Sequence, residues 1–201
     1  MKEKQDYIRD IADIRSMMER SSKFLSLSGW AGIMAGIYAL SGAYIAYKLF
    51  DFNPDEIVYS TTSLPKVISL AILVLILALG TAIILSYRKA DKGGETVWNA
   101  TSRRLLANMA VPLAAGGILI LVLIAKDLVG LIAPLTLLFY GLALYNASKF
   151  TYNEMKFLGM IQMVLGLISC YFIEYGLLFW VIGFGVFHIV YGIYIYFRHE
   201  L

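Results

Sequence analysis

Residues 67–87 read VISLAILVLILALGTAIILSY, twenty-one positions without one charged side chain. A hydrocarbon core about 30 Å thick takes roughly 20 apolar residues to cross as a helix. Inside lipid a backbone must satisfy its own polar groups, so such a run is helical. Five further runs of similar length follow the same rule, over 29–50, 105–125, 128–148, 157–174 and 176–197. The chain is 60% hydrophobic and 15% charged, against about 25% charged in a soluble domain. The expected fold is therefore all-α, a polytopic bundle of six transmembrane helices.

The placement of charge predicts the threading. Fourteen Lys and Arg residues fall in the segments 1–28, 88–104, 149–156 and the tail; only Lys48, Lys66 and Lys126 fall on the other side. Basic residues concentrate on the cytoplasmic side of a membrane. Both termini are thus expected in the cytoplasm of a bacterial inner membrane, with the lipid bilayer as the first partner. The sequons at Asn99 and Asn146 then face the cytoplasm and stay unused. The first span reads as a retained helix, because 28 residues with five acids precede it, too long and too acidic for a signal-peptide start.

Residues 1–28 form a separate unit. Ile8, Ile11, Ile14 and Met18 recur at helical spacing among Arg9, Asp10, Asp13, Arg15, Glu19 and Arg20. That pattern predicts an amphipathic helix of about four turns on the cytoplasmic side. Its apolar stripe can lie on the inner leaflet, pack under the bundle, or dock on a protein partner or a second copy. Six basic and five acidic residues over 1–28 are too evenly balanced for a lipid-surface helix, which favours packing on protein, the chain's own bundle ahead of a partner or second copy.

Ionisable groups at membrane depth are costly and often functional. Only His188, in VFHIVYGIY, lies deep, roughly 18 Å from the outer boundary at about 1.5 Å per residue. Gly185, Tyr191 and Gly192 share its helix face. Tyr38, Tyr140 and Gln162 reach comparable depth in their own spans, so a polar layer of Tyr38, Tyr140, Gln162 and His188 is expected, with Tyr191 beside it. One reading makes it a site for a small or lipid-like ligand. The plainer reading, which weighs more, makes His188 a neutral side chain hydrogen-bonded to Tyr or Gln, locking helices together. In the first span Ser28, Gly32 and Gly36 are spaced by four, a pattern that lets backbones approach closely. It serves either a dimer seam or, more economically, packing within the bundle, as Gly185 and Gly192 do in the last span.

Other features carry less chemistry. Pro112 with Gly116 and Gly117 predicts a weakened third span, of the kind that marks some transporter sites. The loop DFNPDEIVYSTTSLP predicts a short surface helix, with Asn53 as cap, Pro54 at the first position and Glu56 completing a capping box. Asn108 is expected to bond to another helix. YGLALY at 140–145 and YGIYIY at 191–196 hint at an internal repeat of hairpins. Cys170 is the sole cysteine and His188 and His199 the only histidines, so no cofactor or metal site is expected. No nucleotide, hydrolase or metalloprotease motif is present, and no direct nucleic-acid contact is expected.

The stretch RSMMERSSKFLSLSGWAGIMAGIYALSGAYIAY, residues 15–47, resembles the opening of a group of small six-span bacterial membrane proteins to which no activity is assigned. Members of that group are similar to proteins encoded near winged-helix regulators. The resemblance therefore implies a signalling or regulatory role. The residues themselves lead to the same expectation: a non-catalytic regulatory or partner-binding membrane module, with a carrier or binding protein for a small or lipid-like molecule near His188 as the alternative.

Overall fold

A computed structural model describes residues 23–59, 61–94 and 96–201. The amphipathic pattern of residues 1–22 lies outside the described residues. The remainder of that predicted unit, 23–28, is extended rather than helical.

Helix α1 spans Gly29–Leu49, α2 Leu64–Lys92, α3 Ala100–Ala125, α4 Ile132–Ala147 and α5 Glu154–Tyr171. Helix α6 starts at Gly176, passes through a π-helical stretch at Val181–Phe187, and resumes α geometry over His188–His199. Short 3-10 turns, Val129–Leu131, Ser148–Phe150 and Ile173–Tyr175, join α3 to α4, α4 to α5, and α5 to α6. Among the described residues there is no strand, and six helices are long and apolar enough to cross a membrane.

Helices α2 and α3 outrun the apolar stretches that announced them, whereas α4, at Ile132–Ala147, is shorter than the expected 128–148. Helix α2 extends from the expected 67–87 to Leu64–Lys92, and α3 begins at Ala100 rather than 105. Backbone bonding propagates as long as propensity and caps allow, whatever the polarity of the side chains. At α3 the stop signal is explicit: the Asn99 side chain accepts from Ser102 N at 2.8 Å while Ser102 Oγ accepts from Asn99 N at 2.9 Å, a reciprocal cap. The break between α5 and α6 falls at Phe172, whose φ of −110° and ψ of 71° leave the helical region; Gly176 is already helical.

Helix order in space follows the close contacts. Helix α1 lies against α6 on one side and α2 on the other; α4 packs on α5 and α3; α6 bridges α1 to the α4–α5 pair. Helices α2 and α3 are peripheral. The apolar stretch of α2 buries none of its residues, and Ile72, Leu75, Ile76, Leu79 and Ile83 are all exposed.

Two seams set the distances. A Cβ on Gly192 would stand 2.5 Å from Gly29 O and 2.6 Å from Ile33 N; one on Gly36 would stand 2.6 Å from Gly185 O. Gly32 meets Gly192 Cα at 3.1 Å in the same sense. Thus the small residues of α1 face α6 of the same chain. Ser28 leaves this stripe and Gly29 takes its place. The second seam joins α4 to α5, where a Cβ on Gly141 would stand 2.6 Å from Gly159 O.

Three expectations change. Among its described residues the loop after α1 holds no helix. Residues 51–59 run as bends across the α3–α4 turn, with Tyr59 N donating to Asp127 O at 3.2 Å and Gly130 N to Ile57 O at 3.1 Å. These bonds use backbone groups that a helix would need for itself. Gly130 permits the crossing, since any Cβ there would collide with Glu56 O. Helix α3 continues unbroken through Pro112; Gly116 receives Phe139 from α4, and Gly117 faces open space. Asn108 donates to Arg104 O at 2.8 Å within its own helix, not to a neighbour.

Candidate functional site

Two polar groupings stand out, one in the middle of the bundle and one at the end that carries segment 23–28 and the C-terminal end of α6.

The central grouping is built on the π-helical stretch. Widening a helix from i→i+4 to i→i+5 bonding and back leaves a carbonyl for other donors. Gly183 O takes two: Gln162 Nε2 of α5 at 2.8 Å and His188 Nδ1 at 2.9 Å. The His188 backbone N–H goes to Gly185 O. Tyr140 of α4 places its hydroxyl 2.9 Å from His188 Nε2. Gly183 O can only accept, so in the neutral ring Nδ1 carries the proton and Nε2 accepts from Tyr140. The Gln162 nitrogen, 3.4 Å from Nδ1, is then a second donor converging on the same carbonyl. Phe184 stacks on the imidazole at 5.7 Å between centroids and 15° between planes. Gln162 is fully buried and His188 nearly so.

The expected polar layer is thus partly assembled. His188, Tyr140 and Gln162 meet across α6, α4 and α5. Tyr38 does not join them: its hydroxyl lies 3.2 Å from Thr81 Oγ1 of α2. A hydroxyl in the middle of α2, the most apolar run, was the available signal for that pairing. The Tyr191 hydroxyl is buried without a hydrogen-bond partner, as is Gln162 Oε1. Gly185 and Gly192 approach α1, whereas the imidazole reaches to α4 and α5. Both nitrogens of His188 therefore engage the protein itself.

The grouping at the termini was not visible from spacing. Lys89 Nζ, at the end of α2, bonds Leu27 O at 2.9 Å, Tyr152 Oη at 3.1 Å and Glu200 Oε1 at 3.0 Å. Glu200 also accepts from Gly29 N at 2.6 Å and from Ser28 Oγ at 3.4 Å. Helix α1 has no acid in its first turn, so a carboxylate from the far end of the chain meets its free amides and positive dipole. Segment 23–28 is held besides by Phe24 N to Phe150 O at 2.7 Å, Thr151 Oγ1 to Phe24 O at 2.7 Å, and Tyr152 Oη to Leu25 O. The Phe24 side chain enters a cluster with Leu105, Leu144, Ala147, Met155 and Leu158. Nearby, Arg198 pairs with Glu154 at 3.1 Å, and the His199 ring stacks on Tyr152 at 4.3 Å.

A groove of about 480 Å³ runs between α5 and α6 toward this end, lined by Phe157, Leu158, Ile161, Phe187, Val190 and Tyr191, with Asn153, Glu154, Tyr194 and Arg198 at its mouth. His188 is not among its walls. Among the described residues no three His, Cys, Asp or Glu side chains gather as a metal site. Comparison with protein-family models, with curated proteins and with solved structures gives no match.

Proposed function

We propose that this protein is a non-catalytic module of the cell membrane that engages a protein partner through its N-terminal arm. Both termini lie on the cytoplasmic side in this reading. The observation that carries it is the attachment of segment 23–28. Its backbone and Phe24 are pinned to the α4–α5 connection, the end of α2 and the end of α6. A partner holding residues 1–22 would therefore pull on several helices at once. The fourteen-to-three distribution of basic residues supports the orientation. Exposed aromatics support the membrane setting: Trp30, Tyr87, Trp98 and Phe197 ring one end, and Tyr44, Tyr47, Tyr171 and Tyr175 the other, as interfacial belts do. The resemblance of residues 15–47 points toward regulation as well.

The central grouping speaks against a ligand site at His188, because Tyr140 and Gly183 occupy both ring nitrogens. It acts as a lock between α4, α5 and α6. The test is photo-crosslinking in cells from the full chain, with the photoreactive residue at Ile11 or Ile14 and, as control, at Asp13. The expected result is an adduct to a second polypeptide from the two apolar positions. Adducts confined to the chain itself, or to lipid, overturn the proposal.

A further inference from the structure

The groove between α5 and α6 has a polarity that runs along the helix axes. Its inner part is formed by Ile161, Phe187 and Val190; its mouth holds Asn153, Glu154, Tyr194 and Arg198. From Asn153 to Ile161 the groove follows α5 for roughly 12 Å, at about 1.5 Å per residue. An apolar trough with a polar mouth at the level of the helix ends matches one molecule of the surroundings, a phospholipid with its chain along the helices.

The mouth selects a charge. Arg198 pairs with Glu154 at 3.1 Å, yet its side chain remains 56% exposed while that of Glu154 is 16% exposed. Arg198 is further held by Tyr194 Oη. Lys23 adds a second cation, bonded to Asn153 Oδ1 at 3.1 Å. The mostly buried carboxylate thus holds the largely exposed guanidinium at the mouth, with the Lys23 ammonium bonded beside it. Fixed in this way, the guanidinium offers paired donors suited to phosphate oxygens.

We infer that the α5–α6 groove binds an anionic phospholipid, its acyl chain against Phe187 and Val190 and its phosphate against Arg198. The inference rests on the reading of the six helices as membrane spans and does not depend on a protein partner for residues 1–22.

The experiment is native mass spectrometry of the full chain in detergent, titrated separately with phosphatidylglycerol and phosphatidylcholine of identical acyl chains. Wild type should retain phosphatidylglycerol in preference. Arg198→Gln should lower that retention about fivefold, the equivalent of the ~1 kcal/mol that one basic residue contributes beside anionic lipid. Val190→Trp, which fills the trough, should abolish it. Two controls should keep it: Arg103→Gln, which removes an exposed cation on α3, and Ile76→Trp on the exposed face of α2. Equal retention of both lipids by wild type, or an equal loss in Arg103→Gln and Arg198→Gln, overturns the inference. Should Val190→Trp fail to fold by its melting curve, Arg198→Gln decides alone, since its side chain is exposed and outside the core. A failed lipid preference leaves the crosslinking result from Ile11 and Ile14 untouched, so the two proposals fall separately.

Discussion

His188 shows how a single residue acquires its role from geometry. Alone in an apolar run it invites a catalytic or ligand-binding reading. Its partners, Tyr140 at 2.9 Å and Gly183 O at 2.9 Å, make it a clamp between helices. The Nδ1–H form follows from the carbonyl it faces, and nitrogen NMR of labelled histidine should show that tautomer for one of the two rings. A double-mutant cycle between Tyr140→Phe and His188→Phe should return a coupling of about 0.6 kcal/mol, the average for hydrogen bonds inside membrane bundles, and at most about 1.7 kcal/mol, read from unfolding in mixed micelles. A coupling near zero would mean that the two rings only pack. The sequence identified His188, Tyr140 and Gln162 by depth. It missed Gly183, because a carbonyl becomes available through a change of helix register that no side chain announces.

At the scale of elements, glycine marks close crossings only where another backbone arrives. Gly192 and Gly117 look alike in sequence, each in an apolar helix. The first has Gly29 O within 2.5 Å of its would-be Cβ, and the second has nothing within 4 Å. Gly192→Ala should therefore force α1 from α6, at a cost of about 1–3 kcal/mol. Gly117→Ala should stabilise α3 by up to about 1 kcal/mol through helix propensity. Thermal unfolding of the two variants in one detergent should shift in opposite directions. The spacing of Gly32 and Gly36 was readable, and so was a close approach. Which helix would approach was not, since a small-residue stripe fits a neighbour in the bundle as well as a second copy. Likewise the loop 51–59 carried a correct capping pattern for a helix it does not form. Local caps add only about 1 kcal/mol, less than the backbone bonds to Asp127 and Gly130 together with the Phe52–Tyr59 ring contact at 5.8 Å can supply.

For the molecule as a whole, segment 23–28 and the C-terminal Glu200 are tied to each other. Lys89 and Glu200, 111 positions apart, close over segment 23–28. Both side chains are mostly buried, at 24% and 12% exposure, so this pair is worth more than a surface ion pair. Glu200→Gln keeps the shape and removes the charge. It should free the segment, and trypsin should then cut after Lys23 faster than in wild type, with the melting temperature of the bundle little changed. Unchanged cleavage would show that Phe24 and its backbone bonds hold the segment without the ion pair. The six helices and their approximate limits were legible because crossing hydrocarbon is a demand on length and polarity alone, and both are properties of consecutive residues. So was the crowding of basic residues at one end, a matter of counting. Helix neighbours, the π-helical carbonyl, the closure by Glu200 and the groove between α5 and α6 were decided by the tertiary structure. Each depends on residues distant in the chain meeting at a distance of a few ångströms, and the hydrophobicity that places a helix in a membrane is nearly the same on every face it could turn toward a partner.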